Sequence, residues 1–482
     1  MALRIVLSAV VLACASAAPA QAASRLVIRG AGFGHGIGMS QYGAMGYAQR
    51  GADHAAILGH YYTGTQIGTL GGASAVRVLL KTAARIRFTG ATGVAAGGRT
   101  LDPGRTYSVV RGLSGAVTLR TASGRDLGSY VAPLTITGAP EGIELRGRAA
   151  NDITDGRYRG NLELRPAAIG GVSAIDAIGL EEYLRGVVPG EMPATWPDEA
   201  LRAQAVAART YAIATSKHGD GFDQYADTRS QMYTGIAGER PTTDAAVAAT
   251  RNEIVVYGTR PIVTYYFSTS GGRTENVENS FLGADPEPWL VSVDDPFDSL
   301  SPRHRWEKRM SLRSAQRRLG SLVKGSLRQI KVLRRGRSPR VVSAEIVGTG
   351  GSTQATGPQL RRRLGLFDTW ARFTVVTTHG SRGDGGAPEG QGGAGAPTGG
   401  VAPGPATRFA AVALPTTGRL SGRVTPAAAG SRIVVERREP SGWVAELDVP
   451  VTAGGRYSAA VRRPGVYRVR HGDAAGPAVR VG

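Results

Sequence analysis

The chain has 482 residues, with 58 lysines and arginines against 37 acids and a single cysteine, Cys14. Its formal charge of +21 points to an anionic partner: nucleic acid, an anionic membrane or an anionic wall polymer. One cysteine excludes an internal disulfide and a cysteine-rich zinc site, and a chain of this length can bury a core without either.

Residues 1–22 carry one arginine, an apolar run from Ile5 to Ala13, and Ala20-Gln21-Ala22. That order reads as a secretory signal peptide cut after Ala22, which would remove Cys14. The run is shorter than the ~20 residues of a membrane span, and no later segment reaches that length. The expectation is a secreted or wall-associated protein with no transmembrane segment and no nucleic-acid partner.

Leu26–Arg29 then reads as a short strand entering the glycine-rich GFGHGIGMSQ, residues 32–41. Helices follow at about 40–50 and 53–62. From Val76 to Ile175, alternating segments such as VRVLL, IRFTG and IELRG are separated by Gly, Asp and Pro turns, a β pattern. A long helix is expected from Pro197 to His218, with Asp198 and Glu199 in its first turn and a narrow stripe of Leu201, Ala205, Ala208 and Ala212. A shorter helix at 243–250 precedes the strands EIVVYG and PIVTYYFS. Between Arg303 and Arg340 Glu307 is the only acid, and Arg361-Arg362-Arg363 follows. Residues 379–407 are mostly small and turn-forming, which reads as a linker, and 408–482 alternate as a small β-sandwich would. The expected fold class is therefore α+β, mixed sheets and helices forming a cleft over residues 23–378, plus that C-terminal sandwich.

The chemistry concentrates at Glu191, set between Gly190 and the turn-forming Met192-Pro193, just before the long helix. An acid beside a row of hydrogen-bond donors (Arg202, Gln204, Arg209, Tyr211) suits a polar polymer such as a glycan. Val187, Val188, Met192 and Trp196 are near enough in sequence to desolvate the acid and raise its pKa, whereas a nearby arginine would lower it. Neither HExxH nor G-x-S-x-G occurs, and His54 and His60 are six apart, off a common helix face. No metal or cofactor is expected.

Five segments, YLRGVVPGEMP (183–193), EALRAQAVAARTY (199–211), QMYTG (231–235), STSGGRTENVENSF (268–281) and GFGHGIGMSQYGA (32–44), resemble the stage II sporulation protein D and LytB amidase-enhancer family. The last block opens this chain but closes the domain in the family, so the order looks circularly permuted. The resemblance implies that Glu191 is a catalytic glutamate and Arg209 a required arginine. It implies further that His35, Ser40, Gln41, Arg202, Gln204, Tyr211, Tyr233, Ser270, Gly271 and Gly272 shape or contact a substrate cleft. The implied activity is lytic cleavage of MurNAc-GlcNAc β-1,4 bonds in peptidoglycan glycan strands, preferentially peptide-stripped ones, during wall remodelling or sporulation. The alternative, also within the family, is a non-catalytic peptidoglycan-binding enhancer that works with a wall amidase.

Overall fold

A computed structural model describes residues 22–72, 74–95, 98–215, 221–382, 418–427 and 430–481. The proposed signal segment before residue 22 and the linker from 383 onward lie outside the described residues. Mixed helices and sheets make up the rest, an α+β architecture. Among the described residues no helix is long and apolar enough to cross a membrane.

One five-stranded sheet ties the ends of the body together. Strand Ala22–Ala31 lies between Arg305–Ser311 and Ala371–Arg382, all antiparallel, with Ala22 opposite His379 and Gly30 opposite Ala371. The first and last strands of the body are thus neighbours, which is the geometry a permuted order requires. Leu26 and Ile28 bury among Leu360, Leu364 and Phe373. Strand Ala371–Arg382 runs past residue 379, where the sequence suggests a linker beginning. It pairs with Gly418–Thr425, which pairs in turn with Arg456–Val461, so the C-terminal strands continue the same sheet. A second sheet built on Arg432–Glu439 covers it over Leu420, Val435, Tyr467 and Val469.

The alternating segments form two six-stranded sheets whose inward positions, among them Val78, Phe88, Leu119 and Leu164, make one core. The early helices fall close to where the sequence puts them, at Gln41–Ala48 (α1) and His54–Tyr61 (α2). Glu191 does not sit in a free turn. It ends a helix, Leu180–Glu191 (α3), that the sequence reading did not include. Glu181 and Glu182 favour the positive N-terminal end of α3. Leu180, Tyr183, Leu184, Val187 and Val188 recur at helical spacing and are buried, and Met192 turns extended before Pro193. A Cβ at Gly186 would lie 2.6 Å from the Tyr233 ring, and one at Gly190 2.6 Å from the Met232 carbonyl. Those two glycines let segment 231–235 press against α3, which brings the Met232 amide to Glu191.

The long helix, Asp198–Ala214 (α4), ends before the expected His218, and residues 216–220 lie outside the described set. Its buried surface is wider than one stripe: Ala200, Leu201 and all of Ala203 to Thr210 are buried. Alanine side chains are short enough for neighbours to approach α4 from most sides.

Candidate active site

Glu191 opens into a cleft of about 550 Å³. Its Oε1 accepts the Met232 N–H at 2.7 Å, and the Tyr266 hydroxyl also bonds to the carboxyl. Tyr266 is itself fixed by Gln231, whose Nε2 donates to the phenol oxygen at 3.0 Å and whose Oε1 accepts from Tyr183 at 3.1 Å. Gln41 Nε2 donates to the Glu191 carbonyl at 3.1 Å and to Gln204 Oε1 at 3.3 Å. Burial pushes the Glu191 carboxyl up to about 6, against the opposing pull of hydrogen bonds from Met232, Tyr266 and Gln41. No cation is hydrogen-bonded or ion-paired to the carboxyl among the described residues.

The glycine-rich block forms the adjoining wall, because Met39-Ser40 pairs in parallel with Tyr266-Phe267. His35 is packed against Phe267 and Phe281 at ring distances of 5.4 and 5.3 Å. Its Nδ1 accepts the Ile37 N–H and its Nε2 donates to the Tyr266 carbonyl, both at 3.1 Å. Burial, helped by the charge of Arg361, drops its pKa to about 3, so the ring is neutral. Both nitrogens serve the backbone, and His35 offers the cleft a ring face, not a hydrogen bond.

Of the residues expected in the cleft, Glu191, His35, Gln41 and Tyr211 line it, and the others do not. Arg209 is fully buried and holds Glu181 in a bidentate pair at 2.8 and 2.7 Å, while donating to the carbonyls of Glu253 and Val247. Arg202 pairs with Glu199 at 2.7 Å. Gln204 is buried behind Gln41. Ser40 caps α1 by accepting the Gly43 N–H at 3.2 Å. Tyr233 donates to the buried Asp176 at 2.7 Å. Ser270 and the Gly271 N–H both bond Asp298, at 3.1 and 2.6 Å, and the Gly272 N–H donates to Ser270 Oγ at 2.9 Å. In each case another protein group, near in sequence for Arg202 and Gly272 and distant for Arg209 and Tyr233, claims the polar group first.

The cleft also holds residues that the sequence reading did not assign to it: Tyr265, Tyr266, Phe267, Phe281, Arg229 and Arg361. Aromatic residues make up only 6% of the chain, so three together at 265–267 were the available signal. Arg229 is neutralised by Asp227 through both carboxylate oxygens and lies over the Tyr225 ring. Among the residues lining the cleft, Glu191 is the one carboxylate.

The family model for stage II sporulation protein, SpoIID, matches residues 168–257, which contain α3, α4 and the 231–235 segment. Stage II sporulation protein D of Bacillus subtilis (strain 168) is 34% identical over 230 residues, covering 43% of this chain and 65% of that protein. These similarities support a place for the chain in the SpoIID/LytB family. The amidase enhancer of Bacillus subtilis (strain 168), another relative in that family, is 34% identical over 143 residues, 30% of this chain and 19% of that protein. The stage II sporulation protein D of Bacillus amyloliquefaciens is 32% identical over 230 residues. The match thus spans 65% of the length of the sporulation proteins. The SpoIID segment supplies Glu191, Tyr211 and Arg229, whereas His35, Gln41, Tyr265 to Phe267, Phe281 and Arg361 come from outside it.

Proposed function

We propose that the chain is an exported, wall-associated lytic transglycosylase that cleaves MurNAc-GlcNAc β-1,4 bonds in peptidoglycan glycan strands, preferentially peptide-stripped ones, in wall remodelling or sporulation. The observation that carries this reading is the Glu191 carboxyl, pushed up to about 6 in an aromatic cleft and paired with no cation among the described residues. An acid so tuned holds its proton often enough near neutrality to donate it and is still basic enough to take one back. In the first step the C1–O4 bond breaks as Glu191 protonates the departing oxygen. In the second, the ionised Glu191 accepts the proton of the sugar's own 6-hydroxyl as O6 bonds to C1, leaving a 1,6-anhydro end. A single carboxyl suffices because no separate nucleophile or activated water is needed. Neither metal nor cofactor enters. Tyr211, Tyr265 and Phe281 supply apolar ring surface against which sugar faces can pack.

A second reading is supported by the similarity to the amidase enhancer: the same cleft binds glycan without cutting it and assists a wall amidase. Incubating the full chain and a Glu191→Gln variant with peptide-free glycan strands separates the two. Mass spectrometry should find 1,6-anhydro ends with the parent chain and none with the variant. Anhydro ends from both, or from neither, would remove the catalytic assignment.

A further inference from the structure

The sequence sets Arg202 and Arg209 among the hydrogen-bond donors for a glycan, and the structure gives both to other partners. Arg229 is likewise neutralised by Asp227. Arg340, packed beneath the glycine-rich block, is fully buried and takes Asp368 at 3.0 and 2.8 Å through Nε and Nη2. One cation lining the cleft stands apart. Arg361, on the helix Gly357–Leu364, shares the cavity with Glu191 and His35, and no side-chain hydrogen bond engages its guanidinium among the described residues. The acid whose charge acts on it is Asp368, both of whose oxygens Arg340 already holds. Burial, with Arg340 acting in the same direction, keeps the Arg361 guanidinium below the usual arginine range. A half-buried guanidinium with five N–H donors and no protein acceptor among the described residues leaves those donors available to an anion that enters the cleft.

We infer that Arg361 forms an anion subsite that grips a carboxylate carried by the sugar bound beside Glu191. The inference rests on the glycan reading of the cleft. A planar guanidinium fork matches a carboxylate through two parallel hydrogen bonds, a fit that an amide cannot reproduce. In a peptide-free strand the lactyl group ends in such a carboxylate, whereas a stem peptide converts it to an amide. The neutral His35 ring adds no competing charge beside the subsite. Arg361 reaches the cleft from the helix Gly357–Leu364 and Glu191 from the end of α3, so the anion grip and the acid come from separate elements. The two tasks would conflict if the arginine sat against the glutamate. Arg361 is therefore a specificity residue, separate from the proton transfer itself.

The test measures binding of fluorescently labelled, peptide-free glycan to the full-length Glu191→Gln protein, which leaves the strand uncut. The glycan is used either native or with its carboxyls capped as methylamides. Capping should weaken binding about 10- to 100-fold, the range expected for charge-assisted hydrogen bonds. Adding Arg361→Gln should weaken binding of native glycan to the same degree and leave capped glycan no worse. Arg361→Lys should recover part of the loss, and Arg362→Gln, an exposed neighbour on the same helix, should change nothing. Equal affinity for native and capped glycan, no binding of either, or equal loss of both in Arg361→Gln overturns the subsite. Carboxylate-dependent binding by a parent chain that releases no anhydro ends would instead overturn the transglycosylase reading and leave the subsite standing.

Discussion

Glu181 and Glu191 stand at opposite ends of α3, and their surroundings could hardly differ more. Glu181 accepts two hydrogen bonds from Arg209, whose remaining donors reach the carbonyls of Val247 and Glu253. That pair fastens the start of α3 to α4 and to the strand Glu253–Tyr257. Glu191 pairs with no arginine among the described residues; a backbone amide, a phenol and the Gln41 amide meet it in an aromatic cleft, and its carboxyl rises to about 6. One helix thus carries a carboxylate used as a fastener and another left free for chemistry, and the position of the cation separates them. On this view the arginine that family resemblance marks as required is a positioning residue, because it holds α3 so that its far end meets the cleft.

The comparison can be broken most directly at the two acids. Glu191→Gln should lower release of anhydro ends by roughly 100- to 10,000-fold, the usual weight of general acid–base catalysis, without altering circular dichroism. Next in size, Arg209→Met should cost about 3–5 kcal/mol in urea denaturation, because it strands Glu181 against a buried face. The double change with Glu181→Leu should recover much of that loss. A stable Arg209→Met protein that no longer cleaves glycan would mean that Arg209 meets substrate after all. A smaller effect follows from linkage. The folded-state pKa of Glu191 is raised from 4.5 to about 6, so its contribution to stability is complete below the lower value and is lost as pH rises through the upper one. Melting temperatures across this interval should move in favour of Glu191→Gln as pH increases and level off above it. The smallest change expected is in Ser40→Ala, about 1 kcal/mol for a lost helix cap, with cleavage near the parent rate. A large loss of activity at unchanged stability would make Ser40 a sugar contact.

Much of the architecture was legible because it rests on local pattern. Alternation and turn residues placed the strands between 75 and 179, and spacing with first-turn acids placed α4. α3 was hidden by Gly186, Pro189 and Gly190, which read as a loop until the packing of 231–235 gives those glycines a reason. Of the residues lining the candidate cleft, Glu191, His35, Gln41 and Tyr211 were legible in the sequence. Some polar residues read as ligands are held by partners at long sequence separation, 28 residues for Arg209 with Glu181 and 57 for Tyr233 with Asp176, while Arg202 and Ser40 bond three residues away. Residue type shows that a side chain wants a partner; tertiary pairing decides whether the partner is protein or substrate. Arg361 was overlooked for the converse reason, as one of three consecutive arginines in a chain rich in them.

The zipper between strand Ala22–Ala31 and strand Ala371–Arg382 has a consequence for the order of assembly. Ser24 and Thr377, hydrogen-bonded at 3.0 Å, are 353 residues apart, so the first strand waits for its partner until nearly the whole body has been delivered. The corner bearing His35 hangs from that strand. A chain that has not yet delivered Ala371–Arg382 therefore lacks the strand that anchors this corner, and the groove is complete only when the body is.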